Sequence, residues 1–202
     1  MKLLLATRNA KKLVELRRIL AAEGIQGIEV VGLGDVPEYP EAPETGATFE
    51  DNALAKARDA VAATGLPAIA DDSGLEVDAL NGMPGVLSAR WAGGHGDDKA
   101  NLELVLSQLG DVPDERRGGA FVSAVALVVP GHDDVVVRGY WPGRIVRKPL
   151  GTNGFGYDPI FVPEGETRTS AELTNEEKDA ISHRGRALAL ILPHLRTLAT
   201  RT

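Results

Sequence analysis

Apolar residues in this chain fall into short unbroken runs, separated by stretches in which they recur every three or four positions. Lys2 to Ala6 is the first run and predicts a short buried strand. Leu13, Leu16 and Leu20 carry a helical repeat over Lys11 to Glu23, with Gly24 as its stop. Ile28 to Leu33 predicts a second strand, and the Pro/Glu-rich stretch Val36 to Gly46 predicts a surface loop. Thr48 is placed to cap a helix over Phe49 to Thr64, with Asp51 as its capping partner and Gly65 as its end. Ala68 to Ala70 predicts a compact strand that runs into Asp71-Asp72-Ser73-Gly74, where Gly74 allows a turn. Asn81 to Gly96 is glycine-rich and predicts irregular structure. Asp97 or Asp98 then starts a helix that ends at Gly110.

The pattern then changes. Ala120 to Val129 and Val135 to Val146 are β-branched runs joined by Pro130-Gly131-His132-Asp133-Asp134, a hairpin signature. Helix returns near Asn175, and a last helix over Arg186 to Ala199 carries the stripe Leu188, Ile191, Leu195 and Leu198, with Pro193 placed to bend it. Strand–helix alternation supplies parallel pairs and the central hairpin an antiparallel one. The predicted fold class is therefore α/β with a mixed β-sheet.

Composition narrows the function. A length of 202 residues suits one domain, or one domain of two lobes. The net charge of −7 argues against a nucleic-acid partner, though not against a nucleotide, whose phosphates a few local lysines can hold. There are no cysteines, which excludes disulfides and thiolate metal sites, and His95, His132, His183 and His194 lack metal-ligand spacing. No run approaches membrane-spanning length, and Leu3-Leu4-Leu5-Ala6 is too short for a signal-peptide core. The expectation is a soluble cytoplasmic protein with no membrane partner.

The most distinctive segment is Thr152 to Pro159, which sets Phe155 between Gly154 and Gly156 and follows with Tyr157, Asp158 and Pro159. An aromatic face beside open backbone N–H and C=O groups suits a planar, hydrogen-bonding ligand such as a purine. Taken alone, the segment fits a buried β-bulge at least as well.

Four further clusters have chemical potential. Thr7-Arg8-Asn9-Ala10-Lys11-Lys12 follows the first strand, where a strand-to-helix turn favours phosphate, although simple helix capping explains it too. Asn52 and Lys56 share one helix face, although a solvated lysine is the plainer reading. Asp71 and Asp72 end a buried strand, a common place for Mg²⁺ in phosphate chemistry; an Asx-type turn is the alternative. Adjacent carboxylates would face opposite sides if the strand continued. Lys178 with Ser182-His183-Arg184-Gly185 offers donors to a carbonyl or a phosphate, or else complements a helix C-terminus near Gly185. Together these are the parts of a Mg²⁺–nucleotide site.

Their order along the chain resembles the inosine/xanthosine triphosphate pyrophosphatases, which act on noncanonical purine nucleotides. The resemblance rests on Thr7-x-Asn9-x-x-Lys12, Thr48-Phe49-x-x-Asn52-Ala53 with Lys56, and Ala70-Asp71-Asp72-Ser73-Gly74. It continues through Pro84-Gly85, Ser88-Ala89-Arg90, Gly154-Phe155-Gly156-Tyr157-Asp158-Pro159 and Ala171-Glu172-Leu173, to Lys178 and Ser182-His183-Arg184-Gly185. The resemblance implies an elongated mixed sheet flanked by helices, two lobes around a central cleft, and usually a homodimer. It implies Mg²⁺-dependent hydrolysis of inosine, deoxyinosine and xanthosine triphosphates to the monophosphate and pyrophosphate. By the same resemblance Thr7, Arg8, Asn9, Ala10, Lys11, Lys12 and Lys56 hold the phosphates and Ser73 touches the substrate. Asp72 is metal ligand and proton acceptor, with Asp71 and Glu44 as further metal carboxylates. Phe155, Gly156, Tyr157 and Asp158 bracket the base, Lys178 contacts the substrate, and His183 and Arg184 read the 6-oxo edge.

One position departs from the family pattern. Arg8 stands where the family commonly has glycine, and a left-handed backbone there would cost arginine about 1–2 kcal/mol. Two other readings use the same parts: a pyrimidine nucleotide pyrophosphatase and a non-catalytic nucleotide sensor. The adjacent carboxylates weigh against the sensor, since negative charge beside a triphosphate helps only where a metal sits.

Overall fold

A computed structural model describes residues 1–40 and 43–200, with the backbone alone for Lys11. Residues 41 and 42 of the predicted surface loop lie outside the described residues. The strands are β1 (Lys2–Leu5), β2 (Glu29–Gly32), β3 (Ala68–Val77), β4 (Gly118–Val128), β5 (Val135–Ile145) and β6 (Phe161–Pro163). The helices are α1 (Ala10–Ala22), α2 (Phe49–Thr64), α3 (Asp98–Gln108), α4 (Asn175–Ile181) and α5 (His183–Thr200). The sheet runs β2-β1-β3-β4-β5-β6. β1 pairs in parallel with β2 and β3, whereas β5 and β6 are antiparallel, so the sheet is mixed and the fold class α/β. Among the described residues no helix is long and apolar enough to cross a membrane.

The chain divides into two compact units: Met1–Asp72, Ala124–Arg138 and Ala187–Thr202 form one, Ser73–Ser123 and Gly139–Arg186 the other. In the first unit the run Leu3-Leu4-Leu5 is buried throughout because β1 is covered on both faces. Side chains alternate along the strand, so Leu3 and Leu5 join Leu16, Leu20, Ile191 and Leu195, while Leu4 joins Val31, Ala60 and Ala68. α2 starts as its sequence predicts: the Thr48 hydroxyl accepts the Asp51 N–H at 3.1 Å. It ends at Gly65, whose φ of 70° is a left-handed cap that a side chain would strain.

β3 differs from expectation. It runs to Val77, straight through Asp71, Asp72 and Gly74, instead of turning after Ala70. Carboxylates are poor strand formers, yet here long-range partners satisfy them and tertiary contacts override local preference.

In the second unit Leu75, Val77, Leu102, Val105, Phe121, Trp141, Ile160, Phe161 and Leu173 share one core with Tyr157. The end of α3 is fixed by the buried guanidinium of Arg117, which donates to the carbonyls of Leu109 (2.6 Å), Ile145 (2.8 Å) and Val146 (3.1 Å). α4 begins with a reciprocal cap in which the Glu177 carboxylate accepts the Thr174 N–H at 2.8 Å and the Thr174 hydroxyl accepts the Glu177 N–H at 3.2 Å. α5 starts earlier than its periodicity suggests, at His183, because the Ser182 hydroxyl accepts the Gly185 N–H at 3.2 Å and caps it. His183 and Arg184 therefore open a helix, and Gly185 marks no helix C-terminus.

Candidate active site

In the first unit, α1, α2 and β3 bring two lysines to two adjacent carboxylates. Lys12 Nζ donates to Asp71 Oδ2 at 2.5 Å. Lys56 Nζ donates to Asp72 Oδ1 at 3.2 Å and to the Asp71 carbonyl at 3.4 Å. Lys56 also forms an ion pair with Glu44. The other oxygen of Asp72 accepts from the Asn52 amide at 3.0 Å, and Asn52 Oδ1 accepts the Gly46 N–H at 2.8 Å. Asn52 is buried at 2% exposure, one turn before Lys56 on α2. Its position lets one side chain tie the incoming loop at Gly46 to the carboxylate on β3. A Cβ on Gly46 would sit 2.6 Å from Asn52 Oδ1, so glycine is required for that approach.

Burial and charge set the proton affinity of this cluster. Burial raises the pKa of Asp72, and the charge of Glu44 adds to it, against the lowering effects of Lys56 and Asn52. Burial alone would lower the pKa of Lys56; the charge of Asp72 and the hydrogen bond and charge of Glu44 outweigh it and raise the pKa. Two carboxylates thus share one cation, and the carboxylate nearest the sheet holds protons more tightly than an ordinary aspartate.

That arrangement also bears on Mg²⁺. Among the described residues no group of three or more Asp, Glu and His forms a metal cage. Mg²⁺ commonly takes only one or two protein carboxylates and completes its shell with water and phosphate oxygens. Glu44 and Asp72 both close on the Lys56 ammonium, a positive stand-in, so this oxygen pair fits a hard cation. Asp71 is engaged by Lys12, and strand alternation turns it away from Asp72.

The β1–α1 turn is built by Thr7, whose hydroxyl accepts the Asn9 N–H at 3.3 Å. Arg8, Asn9 and Ala10 are exposed. Asn81 is the non-glycine residue with positive φ among the described residues, so Arg8 carries no left-handed strain. The side chain of Lys11 lies outside the described residues. Ser73, in the second unit, donates to the Ser123 hydroxyl at 3.0 Å.

The 152–159 segment of the second unit is a tightly tied loop with an exposed ring at its tip. Phe155 is 64% exposed, and Lys178 Nζ lies 5.4 Å from its ring centroid. The backbone beside the ring is not open, contrary to the sequence expectation. The Phe155 N–H donates to Asp158 Oδ2 at 2.9 Å, and the Phe155 carbonyl accepts the Asp158 N–H at 3.2 Å. The Gly156 N–H donates to Asp98 Oδ2 at 3.0 Å. A tight loop satisfies its own polar groups, which leaves the ring face as what Phe155 presents.

Asp158 and Tyr157 face inward. Asp158 is 2% exposed; besides Phe155 it accepts from Lys178 Nζ at 2.5 Å and from the Ser170 hydroxyl at 2.8 Å. Gly154 carries a φ of +78°, and a Cβ there would fall on the Asp158 carboxylate. Tyr157 is buried, with its hydroxyl donating to the Ser88 carbonyl at 2.7 Å, and burial followed by the charge of Asp98 raises its pKa well above that of a free phenol. These two side chains organise the loop from within. His183 is held flat, its ring stacked at 5.0 Å on Phe121 and at 6.1 Å on Trp141.

A family model described as the Ham1 family matches residues 3–194. The chain belongs to the Ham1 family. Its full length aligns at 70% identity with 98% of a Nocardia farcinica protein named dITP/XTP pyrophosphatase. A Mycobacterium tuberculosis protein of the same name is 68% identical over 98% of this chain and 97% of its own. Among solved structures, a nucleoside-triphosphatase/dITP/XTP pyrophosphatase from Mycobacterium abscessus matches at 68% identity and a TM-score of 0.85, covering 96% of this chain and all of that one. The Ham1 protein of Staphylococcus aureus, at 38% identity, reaches a TM-score of 0.89 over 98% of this chain and 99% of its own.

For this Ham1-family chain the sequence motifs locate most of the cluster-forming side chains but leave some supports unassigned. Asn52 was placed on the face of Lys56 without a role, although it bonds Asp72 directly. Asp98 and Ser170 carried no local signal, being 58 and 12 positions from the loop residues they hold.

Proposed function

We propose that this chain hydrolyses noncanonical purine nucleoside triphosphates, deoxyinosine, inosine and xanthosine triphosphate among them, to the monophosphate and pyrophosphate. The near-identity in length and the 68–70% identity to proteins named dITP/XTP pyrophosphatase make it a nucleoside triphosphate pyrophosphatase. The observation that carries the mechanistic reading is the Glu44–Lys56–Asp72 cluster, with Asn52 holding the second Asp72 oxygen.

In this reading the phosphates engage the first unit through Lys12, Lys56 and the Thr7 to Lys12 turn. Asp72 orients a water toward the α-phosphorus and takes its proton as the bond to the bridging oxygen breaks and pyrophosphate leaves. A raised proton affinity suits that task. Glu44 and Asp72 would hold Mg²⁺, which would supply positive charge against the charge that builds up in phosphoryl transfer. The base engages the second unit. Its ring stacks on Phe155, Lys178 contacts it, and His183 and Arg184 donate to the 6-oxo oxygen. An adenine amino group would leave such donors unpaired, which costs on the order of 1–3 kcal/mol per buried group. The family resemblance adds a homodimer, which sedimentation of the purified chain reads directly.

The test is product analysis. The protein is incubated with Mg²⁺ and, separately, deoxyinosine, inosine, xanthosine, adenosine, guanosine, cytidine and uridine triphosphates, and pyrophosphate and orthophosphate are assayed. Pyrophosphate mainly from the first three, abolished by a chelator and restored by Mg²⁺, is the expected result. Orthophosphate as the first product would exclude cleavage between the α and β phosphates. Preference for the pyrimidines would favour the pyrimidine enzyme, and tight binding without turnover would favour the sensor.

A further inference from the structure

We propose that Asp98 is a positioning residue for base recognition, a latch by which α3 holds the tip of the Phe155 loop; this rests on the reading of that loop as the base platform. The tip is intrinsically loose. Gly154 and Gly156, on either side of Phe155, have φ of +78° and +60°, a region glycine enters freely and leaves as freely. A Cβ on Gly156 would meet nothing within 4 Å, so packing does not hold that side of the tip.

The remainder of the loop is bound to the segment that follows it. The Leu150 carbonyl accepts from the Thr169 hydroxyl at 2.7 Å, the Asn153 N–H donates to the Ala171 carbonyl at 2.9 Å, and the Asn153 amide donates to the Leu173 carbonyl at 2.9 Å. At the tip, two carboxylates take over. Asp158 accepts the Phe155 N–H from within, and Asp98 accepts the Gly156 N–H at 3.0 Å from across 58 positions of sequence. The two consecutive peptide N–H groups that set the plane of the ring's attachment are thus each fixed by a carboxylate. A charged acceptor makes such a bond about twice as strong as a neutral one.

α3 is a rigid place to mount the latch. Leu102, Val105 and Leu109 are buried in the core of the second unit, the Asp97 carboxylate caps the helix at the Ala100 N–H (3.0 Å), and Arg117 binds its far end. Asp97 performs the capping, which leaves the Asp98 carboxylate to reach the loop. Asp98 acts on the platform and not on the edge of the base, so its loss weakens binding of deoxyinosine and xanthosine triphosphates alike and leaves the chemical step untouched.

The experiment compares the wild type with Asp98→Ala and Asp98→Asn in the full chain. Steady-state kinetics with both nucleotides are measured beside amide hydrogen exchange of residues 154–157 in the nucleotide-free protein. Asp98→Ala is expected to raise KM about three- to tenfold for both, with kcat within about twofold, as the loss of one charge-assisted bond predicts. Exchange at Gly156 quickens in the same variant. Asp98→Asn keeps an oxygen acceptor but removes the charge on α3, and it is expected to restore most of the KM and the slow exchange. Equal damage in Asn and Ala, or a fall in kcat with KM unmoved, overturns the latch in favour of a general effect on α3. Unchanged exchange at Gly156 in Asp98→Ala overturns it without reference to activity. Failure of the wild type to turn over either nucleotide sinks the functional reading instead, and the exchange data still decide whether Asp98 holds the tip.

Discussion

Asp71 and Asp72 are neighbours in β3 but are bound by different lysines, Asp71 by Lys12 at 2.5 Å and Asp72 by Lys56 at 3.2 Å. Strand geometry is the cause: successive side chains leave opposite faces, so one covalent step separates two electrostatic environments. On one side Lys12 meets Asp71. On the other, Lys56 is shared between Asp72 and Glu44, and Asn52 holds the remaining Asp72 oxygen.

This asymmetry separates the two aspartates in kinetics. Asp72→Asn is expected to lower kcat by about 10²–10⁴-fold, the usual contribution of a general base, while far-UV circular dichroism stays native. Asp71→Asn releases Lys12 and is expected to act mainly on KM, with a much smaller fall in kcat. Pyrophosphate release over a range of nucleotide concentrations checks both variants. Equal losses in kcat would mean that the carboxylates act as a pair and that the division of roles is wrong.

Phe155→Ala tests the ring as a platform. At 64% exposure the ring contributes little to the core, and truncation should change stability by no more than about 0.5 kcal/mol. Stacking on an aromatic side chain is worth about 1–3 kcal/mol per base, so KM should rise roughly five- to hundredfold with kcat less affected. Thermal melting and kinetics on the same preparation separate the two effects. A large loss of stability would show that the ring packs in solution.

Local pattern carries β1, β2, β4, β5, the capped helix α2 and the mixed sheet, since periodicity and capping are short-range signals, but it gives no sign of the three-residue β6. It failed where the compensating partner lies far along the chain. Gly74 predicts a turn after Ala70, but β3 continues through both aspartates, and the side chains that satisfy them come from Lys12, Asn52 and Lys56. The alternative of a helix end near Gly185 does not hold, because the Ser182 cap makes Gly185 part of a helix start. Tyr157 and Asp158 sit in the motif proposed to bind the base, but nothing local distinguishes a side chain that faces a ligand from one that builds the loop beneath it. The Gly156 N–H looked open for the same reason, since its acceptor Asp98 is remote in sequence.

Tyr157→Phe distinguishes those two roles for Tyr157. Its hydroxyl donates to the Ser88 carbonyl at 2.7 Å inside the second unit, and removing it leaves a buried acceptor unsatisfied. The expected effect is a destabilisation of about 1–3 kcal/mol with KM and kcat for deoxyinosine triphosphate close to wild type at a temperature where the variant is folded. Denaturant unfolding supplies the first number and steady-state kinetics the second. A variant of native stability with an impaired KM would put the hydroxyl on the substrate.

Glu177 gives a pH signature at the start of the helix that carries Lys178. The Thr174 N–H, and then Arg168, favour its charged form and lower its pKa below that of an ordinary glutamate. With the folded pKa below the unfolded one, the carboxylate's contribution is full above the unfolded value and is lost as pH falls through the folded one. Glu177→Gln keeps an oxygen for the cap but has no charge. The melting temperature of the wild type should therefore exceed that of the variant near neutral pH, and the gap should narrow as the pH falls through and below the ordinary glutamate range. Melting curves of both proteins from neutral to acid pH check it. A gap that widens toward acid would reverse the sign and assign the cap's stability to something other than the Glu177 charge.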